Sequence, residues 1–132
     1  MERSLILETT FLIDFERERK SGEGATLTFL RGRSDHRLLI THTIAGEMAC
    51  GSSLSARKRW EAFVKPFRIL VWTPEVDWRY GQIFSYLKSQ GLMIGANDLW
   101  IAATAIVYGC PVVTANTDHF SRVPNLEILS YR

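Results

Sequence analysis

Long apolar runs are missing from this 132-residue chain: none approaches the roughly 18 residues a membrane-spanning helix needs. Glu2 and Glu8 interrupt the segment where a secretory leader would be uniformly apolar. The chain is therefore expected to be soluble and cytoplasmic, with no membrane partner. Cysteine is scarce. Cys50 and Cys110 are the two present, with no CxxC spacing and no paired histidine, which excludes a disulfide framework and a zinc ribbon; both read as reduced core thiols. Charge of one sign is also lacking. A formal net charge of +2 is explained by solubility and does not by itself argue for nucleic acid. Neither GxxxxGKS/T nor GxGxxG occurs, so the nucleotide-cradling loops are absent. Ser52, Ser53 and Ser55 have no nucleophile elbow around them. No repeat, low-complexity tract or Gly/Ser linker divides the chain.

What is present is a core: 46% hydrophobic residues against 23% charged, in a length that buries roughly two-thirds of its unfolded surface. Residues 1–132 read as one domain. Strand-length apolar segments alternate with longer segments of helical period, the pattern of an α/β fold. Strands are expected at Ser4–Leu7, Leu38–Thr41, Phe67–Trp72, Pro111–Thr114 and, at the sheet edge, Leu126–Leu129. Helices are expected from Phe11, over Gly24–Arg33, Thr43–Cys50 and Ser55 to about Phe63, from Pro74 to Gly91, and from Asp98 to Gly109. Thr41 or Thr43 would cap the third of these. Parallel strands joined by right-handed crossovers give a three-layer α/β/α sandwich around a parallel sheet of about five strands.

In an open parallel sheet the functional crevice lies beyond the carboxyl ends of the strands, and acids fall there. Glu8 follows the first strand, Glu47 lies in the helix after the second, Asp98 opens the helix before the fourth, and Asn116 and Asp118 follow the fourth. Carboxylates grouped with little else suit Mg²⁺ or Mn²⁺, which take oxygen ligands and keep waters that phosphate oxygens replace. The inference is a divalent-metal phosphoryl-transfer site. Each acid has a plainer reading. Asn97-Asp98 could simply start a helix, Asp118 could form a turn, and Glu47 could be exposed, although an unpaired buried carboxylate is expensive. His36, His42 and His119 lack metal-ligand spacing and read as surface or capping residues, with His119 beside Asp118 a weaker substrate contact. Asp14 is expected to face solvent or pair with Arg17. The four tryptophans are core or interface aromatics. Twelve of the sixteen basic residues are Arg, which leans towards phosphate, against the alternative of solvated helix faces paired with Glu.

The stretches Leu7-Glu8-Thr9-Thr10-Phe11-Leu12-Ile13-Asp14, Ile40-Thr41-His42-Thr43-Ile44-Ala45-Gly46-Glu47, Ile94-Gly95-Ala96-Asn97-Asp98-Leu99-Trp100-Ile101-Ala102-Ala103 and Val112-Val113-Thr114-Ala115-Asn116-Thr117-Asp118-His119-Phe120, with the ending Val123-Pro124-Asn125-Leu126, resemble the successive motifs of PIN-domain proteins. The resemblance spans essentially the whole chain, and the length is similar to that of VapC-type toxins of toxin–antitoxin pairs. It implies an endoribonuclease dependent on Mg²⁺ or Mn²⁺, acting on structured cellular RNA such as tRNA or rRNA, inhibited by a small cognate antitoxin and forming dimers. It also implies Glu8, Glu47 and Asp98 as metal ligands, with Asn116 and Asp118 completing the catalytic set and Thr9 supporting it. The family's usual first acid is aspartate, whereas this chain has Glu8, and the fourth acidic position is Asn116. A second reading follows from the first of these departures: an impaired PIN module that acts by binding antitoxin or RNA. A phospho-accepting receiver domain shares the sheet but needs a Lys after its fifth strand, and none follows Lys88.

Overall fold

The computed structural model describes residues 3–132, and its central strand is β1, Arg3–Leu7. Along the chain follow α1 (Thr9–Ser21), α2 (Ala25–Arg31), β2 (His36–Ile40), α3 (His42–Ala49), a 3₁₀ turn (Ser52–Leu54), α4 (Arg57–Val64), β3 (Arg68–Ile69), α5 (Pro74–Gln90), α6 (Ala96–Tyr108), β4 (Val112–Val113), α7 (Thr117–Ser121) and β5 (Ile128–Leu129). All pairings are parallel, in the order β3-β2-β1-β4-β5. Leu5, Ile6 and Leu7 are consecutive and all buried; because neighbouring strand residues point to opposite faces, helices must cover the sheet on both. This is the α/β sandwich expected from the alternation, with β5 at the edge.

Local chemistry sets the element ends. The Thr41 hydroxyl accepts from the Ile44 backbone N–H at 3.2 Å, satisfying one of the orphan donors at the start of α3. Pro74 begins α5, and Gly91 ends it in the left-handed region at φ 68°, a conformation that costs glycine little. Gly24 precedes α2 at φ 148°, and a Cβ there would lie 2.1 Å from Glu18 Oε1. That oxygen accepts from the Thr26 N–H at 2.9 Å and the Thr26 hydroxyl at 2.8 Å. A carboxylate from α1 thus serves as the cap of α2, and glycine is the residue that leaves room for it.

The structure departs from the sequence reading in identifiable places. Strand β3 is shorter than Phe67–Trp72. The Leu70 N–H still reaches the Ile40 carbonyl at 2.9 Å, but the Val71 carbonyl accepts from the Tyr108 hydroxyl at 2.7 Å and Trp72 turns aside, its Nε1–H donating to Asp77 at 2.6 Å. A short 3₁₀ turn occupies residues 52–54 and α4 starts at Arg57. Asp118, expected in a loop or turn, lies in a short helix, Thr117–Ser121. Cys50 is exposed and Cys110 only half-buried, so neither is a core thiol; partial burial pushes the Cys110 thiol up. Asp14 does pair with Arg17, at 2.8 Å, but is buried rather than solvent-facing, because the Tyr131 hydroxyl donates to it at 2.6 Å and Arg132 approaches to 3.5 Å. Burial raises its pKa, and these donors outweigh that, holding the carboxyl below the ordinary range.

Candidate active site

Glu8 leaves the end of β1 in extended conformation, as the residue before α1. Its side chain is 4% exposed. Two hydroxyls donate to its Oε1, Thr10 at 2.8 Å and Thr114 at 2.5 Å. The same hydroxyls accept backbone N–H groups of the segment after β4: Ala115 to Thr10 at 3.0 Å and Asn116 to Thr114 at 2.9 Å. A threonine hydroxyl both donates and accepts, so the pair joins the Glu8 carboxylate to the backbone that carries Asn116. Burial pushes the Glu8 carboxyl above its ordinary value of 4.5, the two hydroxyls and a Thr10 backbone bond pull it part of the way back, and the negative charge of Asp98 raises it further.

Glu47 lies half-buried in α3. Its Oε1 accepts from the Thr9 hydroxyl at 2.6 Å and its Oε2 from the Asn97 amide at 3.4 Å. Its two partners are the chain neighbours of Glu8 and Asp98. Asp98, in the first turn of α6, accepts from Asn116 Nδ2 at 3.4 Å and faces His119 Nδ1 at 3.0 Å. Four of the five residues singled out from the sequence therefore lie towards the carboxyl ends of β1, β2 and β4, Asp98 touching Asn116 directly and Glu47 linked only through Thr9 and Asn97. Asp118 does not join them: it is 79% exposed and accepts from Arg122 at 2.9 Å, one turn onward. α7 points it outward and turns His119 inward. His119 was given only a minor role in the sequence; the signal for it is its spacing of three from Asn116, which places both on one side of a helical turn once α7 is recognised. His42 is exposed, in line with a surface role, whereas His36 pairs with Asp35 at 2.9 Å and its side chain is only 12% exposed, so it is not a surface residue.

Among the described residues, no three Asp, Glu, His or Cys side chains close tightly enough to enclose an ion in the arrangement they hold; each acid is turned onto its own hydroxyl or amide donors. The donor set nonetheless fits Mg²⁺ or Mn²⁺. It consists of hard oxygens, and such ions need one or two carboxylates while keeping several waters. No Lys or Arg pairs with Glu8, Glu47 or Asp98 among the described residues. Glu8, buried with no basic partner among the described residues, carries a desolvation cost that a nearby cation would relieve.

Glu8→Gln tests that cost. A raised folded-state pKa means that the native chain binds more protons than the unfolded chain above pH 4.5, so stability falls as pH rises through that window. Glutamine keeps an acceptor for both hydroxyls and carries no charge. The variant is expected to melt higher than the parent at pH 7, by a margin that shrinks towards zero as pH falls below 4.5, followed by circular dichroism across pH.

Much of the guanidinium content is engaged within the chain. Arg57 pairs with Glu61 at 2.7 Å, Arg33 lies 3.7 Å over the Phe29 ring, and Arg19 sits 5.4 Å and 5.3 Å from the Phe15 and Phe63 rings. Arg19 also lines, with Lys20, Arg59, Glu16 and Ser53, a cavity of about 340 Å³ between α1 and α4. That cavity is lined by none of the three acids.

The model of the PIN domain family matches residues 5–126. Among curated proteins, the chain is 42% identical over 64 residues to "Ribonuclease VapC" of Rickettsia bellii, a match spanning about half (48%) of either protein. It is 32% identical over 94 residues to "Ribonuclease VapC2" of Rickettsia felis, covering 67% of this chain and 70% of that one. Among solved structures, the fold matches VapBC2 from Rickettsia felis bound to a DNA fragment from its promoter, with TM-score 0.82, 24% identity, and coverage of 98% of this chain and 99% of that one.

Proposed function

Because the chain belongs to the PIN domain family, we propose that it is the toxin of a toxin–antitoxin pair, an endoribonuclease that cuts cellular RNA of the tRNA or rRNA class with Mg²⁺ or Mn²⁺ held by Glu8, Glu47 and Asp98. What supports this is that those three acids, carried by three separate elements, stand near the strand ends with no Lys or Arg partner among the described residues. The names of the relatives support the activity, and the VapBC complex supports an antitoxin as partner. A divalent cation bound among these oxygens supplies positive charge for the scissile phosphate and acidifies water.

The chain's own groups do the rest. Thr9 orients Glu47, Thr10 and Thr114 orient Glu8, and the Asn116 amide offers an N–H beside Asp98 without adding charge. Oriented ligands of this kind depend on their outer partners. Pairing of two copies belongs to this reading as well.

The test is cleavage of total RNA by purified, antitoxin-free protein in Mg²⁺, Mn²⁺ or EDTA. Discrete fragments are expected with either metal and none with EDTA; cleavage that survives EDTA overturns the cation assignment. A specific observation favours the binding-module reading as the alternative: Glu8 is buried, and both hydroxyls converge on one of its oxygens. Glu8→Asp separates the two. A site built around glutamate loses activity or keeps its level, because the shorter side chain withdraws from Thr10 and Thr114, whereas a large gain identifies a site that glutamate impairs.

A further inference from the structure

Asp98 is the least anchored of the three acids by its own surroundings: it stands in the first turn of α6, its side chain is partly exposed, and no hydroxyl among the described residues donates to it. Its close polar neighbour is His119, 21 positions on, at 3.0 Å between Nδ1 and Oδ2. An ionised carboxylate oxygen only accepts, so this approach requires the proton on Nδ1. The Asn116 amide nitrogen, 3.1 Å from Nδ1 and 3.4 Å from Asp98 Oδ2, is then a second donor to the same oxygen and not a partner of the imidazole. His119 is itself fixed. It lies in α7 immediately before Phe120, which is fully buried, and Asn116 at the start of α7 is tied through its backbone to Thr114.

We propose that His119 is a positioning residue that clamps the Asp98 carboxylate from α7 through Nδ1–H, fixing the α6 acid relative to Glu8 and so setting the grip of the site on a divalent cation. The proposal rests on the cation-site reading above. The physical reason is rotameric. A short carboxylate in an open first turn has several staggered positions available, and a donor on a separately anchored element selects one. Removing such an outer partner costs a metal site roughly 10- to 100-fold in affinity.

The experiment is Mn²⁺ titration followed by electron paramagnetic resonance on the full chain and on Asp98→Ala, His119→Ala and His119→Asn, with melting temperatures recorded for each. Asparagine places an N–H near the position of Nδ1. The expected result is saturable Mn²⁺ binding by the parent, its loss in Asp98→Ala, a decrease of about tenfold or more in His119→Ala, and recovery of most of that in His119→Asn, with His119→Ala and His119→Asn melting alike. A His119→Ala protein that binds Mn²⁺ as the parent does overturns the proposal and leaves the cation site standing. Loss in His119→Ala as complete as in Asp98→Ala, without rescue by asparagine, also overturns it, by making His119 a ligand. No saturable binding by the parent removes the cation-site reading and the proposal with it.

Discussion

Asp98→Ala should lower metal-dependent RNA cleavage by about two orders of magnitude or more, since direct charge stabilisation by a cation is worth several kcal/mol and each 1.36 kcal/mol is tenfold in rate. The loss should come without unfolding. Asp98 lies in the first turn of α6, where alanine is a good helix former. His119, its partner, is 41% exposed, so water can take the place of the carboxylate at its N–H without the ring moving. Burial is the main cause of the raised Glu8 carboxyl and the charge of Asp98 the smallest, so relief of that repulsion roughly offsets the loss of a first-turn acid. The variant is therefore expected to melt close to the parent. Inactivity together with undiminished stability is the signature of residues selected for a task against the interest of the fold. Gel-resolved fragment yield and a thermal melt on the same preparation give both readings, and a well-folded Asp98→Ala protein that still cleaves at the parental rate would sink the assignment.

The largest effect on stability is expected at Phe11. Its side chain is fully buried and contacts rings on three sides: Tyr131 at 4.8 Å and Phe29 at 5.8 Å, both edge-on, and Phe15 stacked at 6.4 Å. Phe11→Ala removes those contacts and leaves a cavity that rigid neighbours on α2 and the C-terminal segment close poorly, a cost of about 3–5 kcal/mol. That is a large share of the ~5–15 kcal/mol that holds a domain folded, and should lower the melting temperature by roughly 10–20 °C. Urea titration should show the midpoint falling with the slope unchanged. A loss under ~1.5 kcal/mol, ordinary for a volume-conserving swap, would mean that the aromatic cluster is not packed as described.

The sequence carried the architecture well where one local signal decides an element. Pro74 with Gly91, Gly109 after the apolar helix, and the buried run Leu5-Ile6-Leu7 each fix a boundary or a layer. It failed where distant side chains decide. Val71 and Trp72 have the composition of a strand, but Tyr108 and Asp77 draw them out of the sheet. Asp14 reads as polar and therefore exposed, until Tyr131 supplies a buried donor. For Glu8, Glu47 and Asp98 the sequence placed each acid near a strand end, and the structure places them there too, because the boundaries of β1, α3 and α6 are set by local signals. Asp118 and His119 were weighted the wrong way round, since which of two adjacent residues faces the crevice depends on α7, a helix of five residues too short to announce itself by periodicity.

The order of the strands bears on when the site can exist during synthesis. The central strand β1 is made first, and one of its edges is filled early by β2, but the other waits for β4. Glu8 and the Thr114 hydroxyl that holds it are 106 positions apart, and His119 lies later still. A chain growing from its N-terminus thus carries Glu8 through most of the described sequence with Thr10 beside it but without Thr114, and the closing of so distant a loop is a late event in folding. The contacts of Glu8 with Thr114 and of Asp98 with His119 are complete only once residues 114–119 have joined the sheet.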